Sequence, residues 1–301
     1  MTSSKVNSTI RKPYKAPYSK KVNNMKRNLF SVICLFIAVI FVSKSNAQDF
    51  ATEFLINQLR PSKCEVIYLS FTNNFYNTNS TIAAMPGFDD LDEETKAEFR
   101  EKYNLVIGKV NDSILLSQFK TKFISSLKSY GFDVRETAVE NFPTQLKENE
   151  HTLVVAQIEL EEFVSYDTIR NYESNDEVYL SKLVNGVRFN TWLKYNDSDP
   201  ESKQIFFADE ETTDELLGYI KKENGVDYAN YSITKINPND AYLLAHSNAA
   251  LCSRYFFNFL INRYVWLKTQ GKPKFYYYMD SNGEIMTEDE PVDNFDIISQ
   301  D

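Results

Sequence analysis

Histidine, cysteine and glycine are scarce in this chain, whose 301 residues include two His, three Cys and eight Gly. Glycine-rich loops that cradle phosphate groups are therefore not expected. The chain contains no Cys-x-x-Cys pair and no His-Glu-x-x-His motif, which argues against a zinc site. It also lacks the Gly-x-Ser-x-Gly elbow of many serine hydrolases. These shortages favour a protein without a catalytic centre, a metal or a cofactor.

The groups that remain for catalysis are two histidines and many carboxylates. His246 lies six positions before Cys252 in a predicted helix, where the two side chains do not share a face. We interpret His246 and His151, which precedes a predicted strand, as core or solvated side chains. Glu159 and Glu161 lie about 7 Å apart on one strand face, a spacing compatible with a glycosidase pair. A solvated stripe is the simpler interpretation, and a carboxylate-based glycan hydrolase is kept as the alternative function.

A short segment near the C-terminus resembles the start of a calcium loop. Asp280-Ser-Asn-Gly-Glu284 offers oxygen atoms at alternate positions. An EF-hand loop needs Gly at position six and Glu at position twelve, where this chain has Ile285 and Pro291. The Asn-Gly pair instead predicts a hairpin turn.

Residues 25–47 have the three regions of a secretory signal peptide. Two basic residues precede an apolar run over residues 29–42, and small residues follow at Ser45 and Ala47. As a helix this run would rise about 21 Å, short of the roughly 30 Å of a bilayer core. A signal peptide is therefore preferred to a membrane anchor or a buried core helix.

We expect cleavage between Ala47 and Gln48, which makes the protein periplasmic or secreted. Residues 1–24 are then an upstream extension or, if translation begins at Met25, a start-site artefact. The leader over residues 1–47 holds nine basic residues and no acidic ones, so the rest has 24 Lys and Arg against 42 Asp and Glu, a net charge of −18. Such a chain repels phosphate backbones and anionic lipids, and we expect no nucleic-acid partner and no integral membrane segment after cleavage.

Two cysteines, Cys64 and Cys252, lie outside the leader. Exported compartments oxidise thiols, so a disulfide between them is one prediction, and two buried thiols are the alternative. Thr168 lies in Asp167-Thr-Ile169, which resembles tripeptides that some Gram-negative bacteria O-glycosylate in exported proteins. Thr168 is therefore a candidate glycosylation site.

Hydrophobic periodicity predicts one α/β domain over residues 48–270, with an α+β tendency: a mixed sheet, amphipathic helices and a long C-terminal helix. The main predicted elements are strands over residues 64–71, 152–163, 184–195 and 204–208 and a helix over residues 113–130. Residues 72–87 are predicted as a loop, 89–101 as weakly helical, and 209–215 as a solvated loop or helix start. Residues 271–301 are predicted as a hairpin followed by a loosely held acidic tail.

The long helix is predicted over residues 238–269, with Asn237 as N-cap and Pro238 at the first helical position. It carries more large apolar side chains than one sheet-facing stripe needs. Leu251 is expected to pack on the sheet, while other side chains need a second cover, either the hairpin at 275–287 or another protein. The predicted partner surface comprises Phe256, Phe257, Leu260 and Tyr264.

Two segments resemble the opening of certain bacterial envelope proteins: Val66-Ile-Tyr-Leu-Ser-Phe-Thr-Asn73, and an amphipathic helix that closes on Ser129-Tyr-Gly-Phe-Asp-Val134. Those proteins share the fold of the curli-secretion lipoprotein, the TolB N-terminal domain and the lipoprotein activators of penicillin-binding proteins. Thr152-Leu-Val-Val-Ala-Gln-Ile158 looks like their next central strand, and the resemblance spans about residues 64–270. It implies a non-enzymatic envelope protein that binds another envelope protein, with self-association left open.

Overall fold

The computed structural model describes residues 50–58, 60, 62–170, 178–199, 203–280, 282–292 and 296–298. The predicted signal peptide over residues 25–47, the extension over residues 1–24 and the cleavage site between Ala47 and Gln48 lie outside the described residues. Residues 293–295 and 299–301 of the predicted acidic tail also lie outside them.

A mixed sheet organises the chain because strands rich in β-branched and aromatic residues bury one face against helices. Its path is β11 (Asp296–Ile298), β6 (Gln204–Thr213), β5 (Tyr179–Asn196), β4 (Glu150–Arg170), β1 (Val66–Phe71) and β3 (Asp133–Glu136). A seventh strand, β2 (Phe75–Asn79), pairs with β4 next to the stretch that pairs with β1. Three pairs are parallel: β1 with β3, β1 with β4, and β2 with β4. The other three are antiparallel: β4 with β5, β5 with β6, and β6 with β11. The predicted mixed α/β fold is confirmed.

A bulge in β4 changes which of its side chains reach the core. The register with β5 shifts between Val155 and Gln157. Leu153 and Val155 are buried before the bulge, and Ile158 and Leu160 are buried after it. One extra residue moves the alternation by one position, so both halves of the strand keep an apolar face on the same side.

Five helices are present in the described residues: α1 (residues 50–58), α2 (Ser80–Ala83), α3 (Glu93–Tyr103), α4 (Asp112–Ser129) and α5 (Pro238–Lys268). The apolar side chains of α4 recur every three or four positions and are fully buried at Leu115, Phe119, Phe123 and Leu127. Asn111 caps α4, because its side chain accepts a hydrogen bond from the Ile114 N–H at 3.1 Å.

The N-terminus of α5 is a capping box, as its sequence indicates. The Asn237 side chain accepts from the Asn239 N–H at 2.9 Å, while the Asp240 side chain accepts from the Asn237 N–H at 2.7 Å. Pro238 occupies the first turn, where its missing N–H costs no helical bond. The predicted start and length of the long helix are confirmed.

Two further hairpins complete the described structure. Strands β9 (Tyr276–Met279) and β10 (Ile285–Glu288) form the hairpin that the Asn-Gly pair predicts. Strands β7 (Glu215–Glu223) and β8 (Val226–Thr234) form a second hairpin that was not predicted. Asn224 and Gly225 join these strands with φ angles of 51° and 81°, the paired positive values of a type I′ turn.

Three predictions about the connecting segments are wrong. The predicted loop over residues 72–87 contains β2 and α2, because pairing with β4 gives its backbone a hydrogen-bond partner. Residues 209–215 extend β6 and begin β7 instead of forming a loop or a helix start. The tail also contributes β11, which pairs antiparallel with β6 at one end of the sheet.

Residues Ala51–Asp301 form one compact unit. No helix in the described part of the chain combines the length and apolar character needed to cross a membrane.

Candidate functional site

The partner surface predicted on α5 belongs to the hydrophobic core. Phe256 and Phe257 are 0% exposed and Leu260 is 3% exposed, while Tyr264 is half-buried. Phe257 stacks on Tyr130 at a centroid distance of 4.9 Å and meets Phe54 of α1 edge-on at 6.0 Å. The prediction is therefore wrong, because α1 and the end of α4 cover this side of α5. Leu251, expected in the core, is only half-buried.

The two predicted disulfide partners are unbridged. Cys64 and Cys252 are both buried thiols, the second alternative that the sequence allowed. Cys252 lies inside α5, and its Sγ donates to Asn248 Oδ1 at 3.4 Å. Burial raises the pKa of the Cys252 thiol to about 12, which keeps it protonated and unreactive in the folded protein.

The candidate glycosylation site lies on an accessible strand. Thr168 is exposed in β4, and its hydroxyl lies 3.2 Å from the Ser181 hydroxyl on β5. Glycosylation of Thr168 stays a prediction.

A buried polar chain links β1, β4, β5 and α5 around His151. Its Nε2 lies 2.8 Å from Glu65 Oε2, and its Nδ1 lies 2.9 Å from the Tyr195 hydroxyl. That hydroxyl donates to Asp197 Oδ2 at 3.1 Å, and Arg263 Nε donates to the same oxygen at 2.7 Å. Burial, reinforced by the Asp197 carboxylate, raises the pKa of Tyr195, so its hydroxyl stays protonated.

This chain of contacts fixes the orientation of the His151 ring. A nucleophilic site needs a histidine nitrogen free to take a proton from Ser, Cys or Thr. Both ring nitrogens of His151 are engaged, one by a carboxylate and one by a phenol. His246 is exposed on α5. Among the described residues, no group of three or more His, Cys, Asp or Glu is arranged to hold a metal ion.

The carboxylates of Glu159 and Glu161 lie on the sheet face opposite the buried side chains of β4. Thr78 of β2 donates to Glu159 Oε1 at 2.8 Å. Arg188 of β5 lies 3.4 Å from Glu161 Oε2 and also pairs with Glu211 of β6 at 2.6 Å. These are cross-strand contacts on a half-buried sheet surface, and they engage both carboxylates that a hydrolase would use.

A double-hairpin arm extends from the sheet, and we define it as residues 163–170 of β4, residues 179–185 of β5, and the β7–β8 hairpin. In the described residues these parts of β4 and β5 pair only with each other. The β7–β8 hairpin packs against one of their faces through a small cluster comprising Ile169, Val184, Leu216 and Ile220. Gly218 lets the layers approach, because a Cβ there would lie 2.8 Å from Ile169 Cδ1 and 2.3 Å from the Asn230 carbonyl oxygen.

The outer faces of the double-hairpin arm are apolar and exposed. On β4 and β5, Tyr166 is 74% exposed and lies directly opposite Leu183, which is 57% exposed. Nine of the twenty exposed large apolar side chains in the described chain lie on this arm: Val164, Tyr166, Tyr179, Leu183, Leu217, Tyr219, Val226, Tyr228 and Tyr231. This concentration distinguishes the arm from the remaining surface, where such side chains are scattered over many elements.

A buried aspartate fastens the β7–β8 hairpin to the sheet. Asp214 precedes β7 and is 0% exposed. Its Oδ2 accepts from the Asn185 N–H at 2.9 Å and from Lys235 Nζ at 2.7 Å, and its Oδ1 accepts from the Ile236 N–H at 2.9 Å. One carboxylate thus binds both ends of the hairpin to β5, and the arm is held in a defined orientation at its base.

A cleft lies between α5, β6 and the β9–β10 hairpin. This aromatic cleft has a volume of about 640 Å³, and its walls include Tyr255, Phe259, Trp266, Phe275 and Tyr276. Asn262 holds the hairpin in place, because its Nδ2 donates to the Tyr277 carbonyl at 2.7 Å and its Oδ1 accepts from the Tyr277 N–H at 2.8 Å. Gln204 also lines the cleft, and its Oε1 is buried without a hydrogen-bond partner in the described residues.

Sequence reasoning missed both features. Asn224-Gly225, a strong hairpin signal, would have predicted β7 and β8 and hence the double-hairpin arm. The aromatic cleft joins residues of α5 to Gln204 and to the distant segment around Phe275, and no local pattern indicates it.

No protein-family model matches this chain, and no curated protein matches it. Among solved structures, it is similar to one described as a neuraminyllactose-binding hemagglutinin homolog from Helicobacter pylori. The two chains are 11% identical, with a TM-score of 0.30, and the match covers 70% of this chain and 93% of the other. Similarity at this level assigns neither a fold family nor a function.

Proposed function

We propose that this chain is an exported, non-enzymatic protein that binds another protein through its double-hairpin arm. The observation that carries the proposal is the concentration of exposed large apolar side chains on the outer faces of this arm. The signal-peptide pattern over residues 25–47 and the net charge of −18 over residues 48–301 support export and a protein partner over nucleic acid or anionic lipid.

The physical reason is that exposed apolar groups raise the free energy of an isolated protein in water. Monomeric proteins rarely leave a large contiguous apolar patch uncovered unless it binds something. Tyrosine is enriched in the centres of protein interfaces because its ring is apolar and its hydroxyl forms hydrogen bonds. Tyr166, Tyr179, Tyr219 and Tyr228 are each more than half exposed on the arm.

The polar groups of the described chain support binding over catalysis. Both nitrogens of His151 are engaged, and Cys252 is buried with a raised pKa. The carboxylates of Glu159 and Glu161 have partners on adjacent strands. Each of these groups is either buried or already bonded to another group of the protein, which favours a structural role in the sheet.

Photocrosslinking tests the proposal directly. Tyr166→p-benzoylphenylalanine and Tyr228→p-benzoylphenylalanine place a photoreactive ring on each hairpin of the arm, and the same change at Tyr103 of α3, which is 38% exposed, is the matched control. In cells that export the chain, we expect discrete protein adducts from the two arm positions and none from Tyr103. Equal adducts from all three positions, or no adduct from the arm, would contradict the proposal.

The aromatic cleft supports a second candidate function, binding of a neutral glycan. The observation that favours it is the set of aromatic rings in the walls of the cleft, which can stack on the C–H faces of a sugar. Asp289 is the sole carboxylate among the described residues that line the cleft, whereas glycoside hydrolysis uses a pair. The cleft therefore favours binding over the hydrolysis that we kept as an alternative.

Tryptophan fluorescence tests this second function. We expect titration with chitotriose or maltotriose to change the emission of the native chain and of Leu267→Ala, which alters an exposed side chain on the same helix. Trp266→Ala should abolish the change. A native chain whose emission is unaltered by millimolar sugar would exclude both glycans as ligands of the cleft.

A further inference from the structure

We infer that β8 pairs antiparallel with β8 of a second copy of this chain, so that two β7–β8 hairpins form one four-stranded sheet. The pairing rests on the proposed function of the double-hairpin arm, because it names a second copy as the partner at one edge of that arm.

The outer edge of β8 is long, regular and uncovered. Eight of its nine residues are exposed, and in the described residues it pairs only with β7, without a register shift. Proteins normally protect such an edge with proline, lysine, a bulge or a covering segment, because unpaired backbone groups recruit other strands. The sequence of β8, Val-Asp-Tyr-Ala-Asn-Tyr-Ser-Ile-Thr, has no proline and no basic residue.

The turn determines which backbone groups of β8 point outward. In a two-residue type I′ hairpin the flanking residues, here Glu223 and Val226, exchange hydrogen bonds, and bonded and non-bonded pairs then alternate. The residues of β8 whose N–H and C=O groups point away from β7 are therefore Asp227, Ala229, Tyr231 and Ile233.

These outward groups are self-complementary about Asn230. When two copies of β8 pair with Asn230 opposite Asn230, Ala229 lies opposite Tyr231 and Asp227 lies opposite Ile233. Every outward residue then meets another outward residue, as an antiparallel ladder requires. This register also uses all nine residues of β8, whereas a shift in either direction leaves an end of the strand unpaired.

Charge favours the same register. Asp227 is the sole charged residue of β8, and the symmetric pairing places it opposite Ile233 with no like charge across from it. A two-fold pairing of this kind closes on itself, so it produces a dimer and not a fibre. An acidic chain whose net charge otherwise opposes self-association is thus expected to associate along a strand with a single charge.

Disulfide trapping tests the register. Asn230→Cys places two thiols at the two-fold axis in a non-hydrogen-bonded pair, where Cα atoms about 4.5 Å apart lie within disulfide range. Tyr228→Cys is the matched control, because each residue 228 lies opposite Ser232 of the other copy and roughly 13 Å from its own counterpart. Both native thiols of the described chain are buried. On mild oxidation we expect a covalent dimer from Asn230→Cys and a monomer from Tyr228→Cys.

Sedimentation gives a second, independent readout. Ala229→Pro removes an outward N–H without removing a bond to β7, and we expect it to convert the dimer to a monomer with an unchanged circular dichroism spectrum. Lys222→Pro makes the same change at the outer edge of β7 and should leave the dimer intact. A native chain that sediments as a monomer at micromolar concentration would overturn the pairing, as would equal cross-linking of the two cysteine variants.

The two proposals fail in different ways. A monomeric chain that still gives adducts to another protein from Tyr166→p-benzoylphenylalanine overturns the β8 pairing and leaves the arm as a protein-binding surface. A chain whose arm positions give no adduct of any kind, and which is monomeric, overturns both.

Discussion

The helix-covered sheet and the double-hairpin arm use large apolar side chains in opposite ways. In the first region, Phe119 stacks on both Phe123 and Phe189 at centroid distances of 5.6 and 5.4 Å, and all three rings are fully buried. In the arm, a small cluster that includes Ile169, Val184, Leu216 and Ile220 lies between the two hairpins, while most of the tyrosines are exposed. An excess of apolar residues therefore indicates an interface only where a second layer of the fold does not cover it.

The largest predicted effect concerns the helix-covered sheet. Phe257→Ala removes a ring that contacts both Tyr130 and Phe54, and we expect it to lower the free energy of unfolding by about 3–5 kcal/mol. Leu243→Ala is the control on the same helix, since Leu243 is 60% exposed, and it should change stability by less than about 0.5 kcal/mol. Urea denaturation measures both. If the Phe257→Ala chain is as stable as the native one, this face of α5 is exposed and not part of the core.

Two adjacent residues of β5 test the small cluster of the arm. Val184 is 1% exposed and faces β7, whereas Leu183 is 57% exposed and faces away. Val184→Ser loses buried apolar area and buries a hydroxyl, so we expect a loss of about 1.5–3 kcal/mol. Leu183→Ser should cost less than about 0.5 kcal/mol. Equal losses for the two variants, measured by urea denaturation, would mean that the β7–β8 hairpin does not pack on β5.

Asp214→Asn tests the attachment of the β7–β8 hairpin to the sheet. The amide keeps the size of the side chain but removes the negative charge that pairs with Lys235. It also replaces one acceptor oxygen by an NH₂ group, which then faces other hydrogen-bond donors. We expect a loss of roughly 1–3 kcal/mol. Hydrogen exchange should locate the change in the amides of β7 and β8, with α4 and α5 little affected. Uniformly faster exchange across the whole chain would show that Asp214 supports the entire fold.

Low pH should weaken the attachment of the β7–β8 hairpin in the native chain. Burial raises the pKa of Asp214, but the hydrogen bonds from Lys235, Asn185 and Ile236 outweigh it and hold the pKa below the ordinary value of 3.8. The unfolded chain therefore binds the proton more readily than the folded one. The contribution of Asp214 to the free energy of unfolding is fully present above the ordinary pKa, and it is lost as the pH falls through the lowered pKa of the folded chain. The stability difference between native and Asp214→Asn chains should shrink below pH 3.8. A difference that stays constant would contradict the assignment.

The sequence predicts regular, locally encoded elements well and contacts between distant segments poorly. The start of α5 follows from Asn237 and Pro238, and the core face of α4 follows from spacings of three and four residues. Burial of Phe257 does not follow from the sequence near it, because its cover comes from α1 and from Tyr130 after α4. Helical periodicity shows that a face is apolar and does not show what packs on it.

The candidate sites also differ in how far the sequence predicts them. The double-hairpin arm was predictable in part, because Asn224-Gly225 lies between two alternating segments. The polar chain through His151 was not, since it joins residues 65, 151, 195, 197 and 263 by the parallel pairing of β1 with β4 and the antiparallel pairing of β4 with β5. Its members are unremarkable in sequence and acquire their roles only when the sheet brings them together.

Hydroxyl-radical footprinting of tyrosines tests most directly whether the double-hairpin arm is the binding surface. Oxidation is compared between the chain in intact exporting cells and the purified chain at high dilution. We expect Tyr166, Tyr179, Tyr219 and Tyr228 to be protected in cells, while Tyr76 and Tyr103, exposed outside the arm, are oxidised equally in both samples. Equal oxidation of the arm tyrosines in the two samples would contradict the account, because a surface that stays open in the cell binds no partner there.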